Sequence, residues 1–294
     1  MSILAYSRNT FSQNGEDGII DRIFSIVGTT SKTCCEFGAW DGIHFSNCRQ
    51  LVLSGWRCLF IEGDEDKYQD LHKNYASNTI VVCLNRYVSV DRDSVDTLLS
   101  EAGFPADIDF LSIDIDGLDY EVFRTLRAKP RVICVEVNAG HSPNETKRLV
   151  SGISQGNVGQ PLACFVEEGK LLGYRLICYS GNAFFLRGDL GFEREFRTLS
   201  SADAYKQFLN ELDRDGREWL YLVNKGWAPP YHRYQNELLE AHNLGISCRK
   251  RALWVLSRSK TPRLAKRLLT KLKKKILDRR EMGNATGDVL PPGP

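Results

Sequence analysis

Cys35-Glu36-Phe37-Gly38-Ala39-Trp40-Asp41-Gly42 is the stretch whose reading decides the fold. A short apolar run ends in Glu36-Phe37 and meets a glycine, as a buried strand does where it bends at its carboxyl end. Working outward, similar runs rich in Val, Ile, Cys and Phe fall at about 33–37, 57–62, 80–84, 109–114 and 131–137. Each is too short for a buried helix. Between them lie amphipathic helical patterns at about 43–54, 65–76, 93–101 and 118–128; Asp91 or Asp93 is the expected N-cap of the third, and Pro130 closes the last. Strands alternating with helices imply a mostly parallel sheet covered on both faces. An earlier helix, Gly15 to Val27, carries Ile19, Ile20, Ile23, Phe24 and Val27 on one face and is expected to cover the ligand edge of the sheet.

The far end of the sheet narrows the class. Tyr174 to Tyr179 and Asn182 to Arg187 are joined only by Ser180-Gly181. A parallel crossover needs a dozen or more residues, so these two strands form an antiparallel hairpin. A parallel run closed by such a hairpin is the α/β, Rossmann-like arrangement of class I methyltransferases, whereas dinucleotide dehydrogenases keep a fully parallel sheet. The reading is therefore a cofactor-binding domain over 1–190, a helical extension over 191–248 with a bend at Trp227 to Tyr231, a basic segment over 249–280 and a disordered tail over 281–294.

With 294 residues, 42% of them hydrophobic and 26% charged, the chain buries a full domain core. Nine cysteines form neither a zinc-ligand spacing nor a disulfide framework, and Cys34, Cys58, Cys83, Cys134 and Cys178 sit in strand-like runs as small hydrophobes. A reducing cytoplasm is expected. No secretory leader is visible, and no run approaches the roughly 18 apolar residues that span a bilayer. The net charge of +2 hides an asymmetry: residues 249–280 hold 14 Lys/Arg against Asp278 alone. That segment carries +13, which leaves −9 on residues 1–248 once Glu281 and Asp288 are counted.

Several polar residues fall at strand ends, where α/β folds bind ligands. Gly38 gives a bend without a Cβ next to Glu36, over which S-adenosylmethionine can lie. The three-glycine fingerprint that brings a pyrophosphate to a helix N-terminus is missing, and a phosphate-free cofactor does not need it. Glu62, at the end of the next strand, suits both ribose hydroxyls, and Asn85, after the third strand, suits the adenine. Period-two alternation places Asp114 and Asp116 on one side of the fourth strand's end, while Glu136 and Asn138 end the fifth. These four oxygen donors suit Mg2+ or another hard divalent cation rather than zinc. His141 is the candidate general base, with Asp119 the alternative and Gln155 a substrate-contact candidate.

The motifs together resemble the FkbM-like family of S-adenosylmethionine-dependent methyltransferases. They are Phe11-Ser12-Gln13-Asn14-Gly15-Glu16-Asp17-Gly18, Glu36-Phe37-Gly38 through Asp41-Gly42 with Ser46-Asn47, Gly55-Trp56, Ile61-Glu62-Gly63, Leu111 to Gly117 with Asp119-Tyr120, Pro130 to Asn138, and Asn182 to Phe185. The resemblance covers about residues 10–190 and implies O-methylation of hydroxyls, commonly on sugars of polysaccharides or glycosylated natural products. It also implies that Gln13, Asn47 and Glu62 hold the cofactor, and it strengthens Asp114 and Glu136 as metal ligands. Where related sugar enzymes keep a histidine or lysine base after the first metal ligand, this chain has Gly117 and Asp119.

In the basic segment Leu264, Leu268, Leu272 and Ile276 recur every four residues opposite a cationic face. Such a helix lies on anionic lipid, with Trp254 as interfacial anchor, or binds nucleic-acid phosphates, or packs on an acidic body, its own or that of a second copy in a homo-oligomer. The expectation is a carbohydrate or glycoconjugate acceptor met at the inner face of a membrane. RNA or DNA methylation ranks lower, and a non-catalytic cofactor-binding assembly module is the third reading.

Overall fold

The computed structural model describes residues 2–115, 117–137, 143–146 and 159–211. Asp116, Asn138, His141, Gln155 and everything from 212 onward, including the basic segment, lie outside the described residues. The chain order is α1 (Glu16–Val27), β1 (Thr33–Phe37), α2 (Arg49–Leu53), β2 (Arg57–Glu62), α3 (Glu65–Tyr75), β3 (Val81–Asn85), α4 (Val95–Glu101), β4 (Phe110–Ile113), α5 (Asp119–Thr125), β5 (Val132–Glu136), α6 (Leu162–Leu171), β6 (Tyr174–Tyr179), β7 (Asn182–Arg187) and α7 (Ser201–Glu211).

The strands form one sheet in the order β3-β2-β1-β4-β5-β7-β6. The first five are parallel, and β7 is antiparallel to both β5 and β6. This is the class I methyltransferase sheet that the Ser180-Gly181 turn predicts. Alternating strand residues feed two cores. Cys35, Phe37, Leu59, Ile61, Leu111 and Ile133 face a cluster built with α4, α5, α6 and α7. Cys34, Cys58, Phe60, Phe110, Cys134 and Phe184 face the opposite cluster, built with α1, α2 and α3. Burial on both faces explains why the strands read as continuous apolar runs rather than alternating ones.

Several expectations need correcting. The helix expected at 43–54 is only Arg49–Leu53, because the Asp41 carboxylate accepts from the N–H groups of Ile43 and His44 at 2.9 Å each and folds 41–44 into a turn. The third helix is capped by Ser94, whose side chain accepts from Thr97 N–H, and not by Asp91 or Asp93. α1 packs its apolar face on the sheet with Trp56 and Phe110, and its first residue, Glu16, accepts from Asn182 at 3.0 Å, beside Glu136 at the carboxyl edge of the sheet, although no α1 residue lines the cleft itself. α7, in the first part of the expected helical extension, packs on the sheet: Ala204 and Tyr205 are buried in the core, with Tyr205 stacked on Tyr179 of β6. No helix among the described residues is long and apolar enough to cross a membrane.

Candidate active site

The carboxyl ends of β1, β2, β4 and β5 open onto one cleft of about 540 Å³. Gln13, Glu36, Gly38, Glu62, Asp114 and Glu136 line it, so six of the residues singled out in the sequence meet in one place. Topology dictates the meeting: β1 is flanked by β2 and β4, where the sheet order turns back on itself, and a crevice forms at such a switch point.

Gly38 makes the floor. Its φ of +72° is a left-handed conformation, and a Cβ there would stand 1.6 Å from the Asp114 carbonyl oxygen. The ends of β1 and β4 approach this closely only because residue 38 has no side chain. Beyond Gly38 the turn carries Trp40 and Phe45, both left-handed at φ +49° and +61°, both substantially exposed and both on the cleft wall. Asn74 and Tyr75 of α3 hold the turn, donating to the Asp41 and Gly42 carbonyls at 3.0 and 2.5 Å.

Glu36 and Glu62 have different work. The Glu36 carboxylate, buried at 4% exposure, accepts from Ser46 Oγ (2.6 Å), Asn47 N–H (2.8 Å) and Cys48 N–H (3.1 Å). These donors precede α2, where a dinucleotide site would present free N–H groups to a pyrophosphate. Here a carboxylate of the chain itself occupies them, which suits a ligand without phosphate. Glu62 accepts one N–H per oxygen, from Trp40 at 2.7 Å and from Asp64 at 2.9 Å. Each carboxylate oxygen keeps acceptor capacity toward the cleft.

Burial pushes the Glu36 carboxyl up to about 7 against the opposing pull of its three hydrogen bonds. The folded state thus holds a proton that the unfolded chain, with an ordinary carboxyl, has already lost. The stabilisation is complete below the unfolded value and fades as pH rises through about 7. The melting temperature is expected to fall between about pH 5 and pH 8, and Glu36→Gln is expected to flatten that slope. An unchanged slope in the variant assigns the titration elsewhere.

Gln13 reaches the cleft from the motif before α1. One Asp17 carboxylate oxygen accepts from the N–H groups of Thr10, Phe11 and Ser12 at 2.8–2.9 Å and from Ser12 Oγ at 2.8 Å, which fixes the loop. Asn47 and Asn85 do not line the cleft. Asn47 lies beneath it, donating to Ser112 Oγ at 3.0 Å, and Asn85 donates to Glu65. Arg86, Tyr87 and Val88, the residues after Asn85, line the wall instead, and Tyr87 packs on Gly63.

Carboxylate oxygens of Asp114, Asp119 and Glu136 lie within 4.8 Å of one another. Asp119 comes to this group from the start of α5, its oxygens accepting from Ile115 N–H at 2.8 Å and Gly117 N–H at 2.9 Å. Those bonds wrap the turn after β4 around its carboxylate, so Asp119 sits with the candidate metal ligands. Asp116, Asn138 and His141 fall outside the described residues.

Residues 84–155 match the model of the methyltransferase FkbM domain. The FkbM match runs from the end of β3 past β5 and includes Asp114, Asp119 and Glu136. It agrees with the FkbM-like resemblance read from the motifs, and the chain carries a methyltransferase signature on a methyltransferase-type sheet. No curated protein matches the chain. Solved structures similar to it include the CcbJ methyltransferase from Streptomyces caelestis, at 11% identity over 60% of this chain and 90% of that one, with a TM-score of 0.39. The N-terminal domain of EvdMO1 with SAH bound is similar at 16% identity over 60% and 80%, with a TM-score of 0.38. Monomeric WbdD is similar at 13% identity over 62% and 42%, with a TM-score of 0.40.

Proposed function

We propose that the chain transfers a methyl group from S-adenosylmethionine to a hydroxyl of a sugar, on a polysaccharide or glycoconjugate. The observation that carries the cofactor is Glu62: its carboxylate faces the cleft at the end of β2, one strand from the Gly38 floor, with both oxygens fixed by backbone N–H groups. A fixed bidentate acceptor suits a ribose diol. The cleft wall also holds Glu62, Asp64, Asp114 and Glu136 against Lys67 and Arg86, an acidic balance that suits a cationic sulfonium.

Three carboxylates within 4.8 Å of one another form an all-oxygen donor set, which fits a hard divalent cation. When bound, such an ion lowers the pKa of a coordinated hydroxyl. Asp114, Asp119 and Glu136 would hold it, with Asp119 also keeping the 115–117 turn in place. The exposed Trp40, Phe45 and Tyr87 offer apolar faces on which a sugar ring can rest while Glu62 anchors the donor. The chain's contribution is mainly positioning of two reactants in line, and His141 is the proton acceptor in this reading.

Calorimetry with S-adenosylmethionine tests the donor: a saturable heat signal is expected, and none would be seen if the cleft does not bind it. Mass spectrometry of surface glycans from cells with and without the active gene is expected to show a missing methyl; identical glycans would remove the acceptor class. Asp114→Ala and Glu136→Ala are each expected to cut turnover by at least about tenfold with S-adenosylmethionine binding retained. Full activity after thorough chelation, or in both variants, would remove the metal.

A further inference from the structure

Cys34 and Cys58 are register partners on β1 and β2, and Cys48 ends the loop that leads from the cleft into α2. All three are fully buried, and their sulfurs lie within 4.8 Å of one another on the face of the sheet away from α5 and α6. Nothing in the proposed methyl transfer uses them. Metal–sulfur bonds of about 2.3 Å put three trigonal sulfurs roughly 4 Å apart, so this triangle needs little adjustment to close on one ion. Soft thiolates select soft cations, and no fourth His, Cys, Asp or Glu ligand joins the cluster among the described residues. Structural zinc almost always takes four ligands, whereas three sulfurs in a dry site suit a monovalent d10 ion.

We propose that Cys34, Cys48 and Cys58 form a three-coordinate site for a soft monovalent cation of the copper(I) class, a staple joining β1, β2 and the cleft loop. The three sulfurs bind the ion as thiolates, their protons pass to solvent as it enters, and no oxidation step is involved. Its effect would reach the cleft, because the N–H of Cys48 is held by Glu36, which lines it.

The test uses the reduced full-length protein under anaerobic conditions, titrated with copper(I) against a chromogenic chelator. One copper per chain is expected to survive the competition. Cys48→Ser is expected to weaken retention at least about tenfold, while the control Cys83→Ser, outside the triangle, retains it. X-ray absorption on the wild-type complex, which needs no variant to fold, is expected to find three sulfur neighbours. Failure to compete with the chelator, retention by Cys48→Ser equal to that of wild type, a two-coordinate or nitrogen-ligated spectrum, or uptake of zinc in place of copper(I) would each overturn the site.

Discussion

Gly38→Ala is expected to leave a protein that either fails to accumulate in folded form or melts far below the wild type, with no detectable S-adenosylmethionine binding. A left-handed conformation costs a residue with a Cβ about 1–2 kcal/mol by itself. The collision costs more, because at 1.6 Å from the Asp114 carbonyl oxygen the new methyl cannot be housed by turning a side chain. The ends of β1 and β4 must separate, and both are pinned by parallel pairing from Cys34↔Phe110 to Phe37↔Ile113. A combined loss of at least about 3–4 kcal/mol is a large part of the total stability of an ordinary domain. Gly55→Ala isolates the strain: φ is +81° there with nothing within 4 Å, so a drop near 1 kcal/mol is expected. Chemical denaturation of the two variants makes the comparison. Equal losses would mean that the close approach of the strand ends carries no energy, and the account of the cleft floor would go with it.

That floor was legible in the sequence because a glycine at the end of a buried strand has few other uses, and Glu62 was legible because strand ends are fixed by the apolar runs before them. Both positions depend on local patterns that survive without knowledge of neighbours. Asn47 and Asn85, expected at the cofactor, do not line the cleft, for the opposite reason. An asparagine side chain goes where a partner is, and the partners, Ser112 Oγ and Glu65, come from other elements. The acidic cluster shows the limit of period-two reasoning. β4 ends at Ile113 and the backbone turns through Gly117 at φ +117°, so alternation no longer tells which carboxylates converge. Asp119 joins Asp114 and Glu136 because it wraps that turn, a contact set by the start of α5. The pattern of 43–48 is that of a helix start, and nothing local announces that Asp41 spends its carboxylate on Ile43 and His44. The cysteine triangle needed the β1–β2 register before Cys34 and Cys58 could be placed side by side.

Glu62→Ala is expected to weaken S-adenosylmethionine binding by about a hundredfold or more. Hydrogen bonds to a charged acceptor contribute about 1.5–3 kcal/mol each, and a ribose diol makes two. The variant also strips the acceptor from Trp40 N–H and Asp64 N–H, so part of any loss could be the turn relaxing rather than the ribose leaving. Two measurements separate these causes. The melting temperature without ligand reports the turn, and a small drop beside a large loss of affinity assigns the effect to the ligand. A cofactor analogue lacking one ribose hydroxyl reports the diol directly. Wild type is expected to bind it at least about tenfold more weakly than the intact cofactor, while Glu62→Ala, with no acceptor to lose, binds both nearly alike. Glu65→Ala, on the exposed start of α3 and outside the cleft lining, is the control and is expected to discriminate as wild type does. If Glu62→Ala penalises the missing hydroxyl as strongly as wild type, the ribose lies elsewhere in the cleft, and Glu62 is a clamp for the Trp40 turn alone.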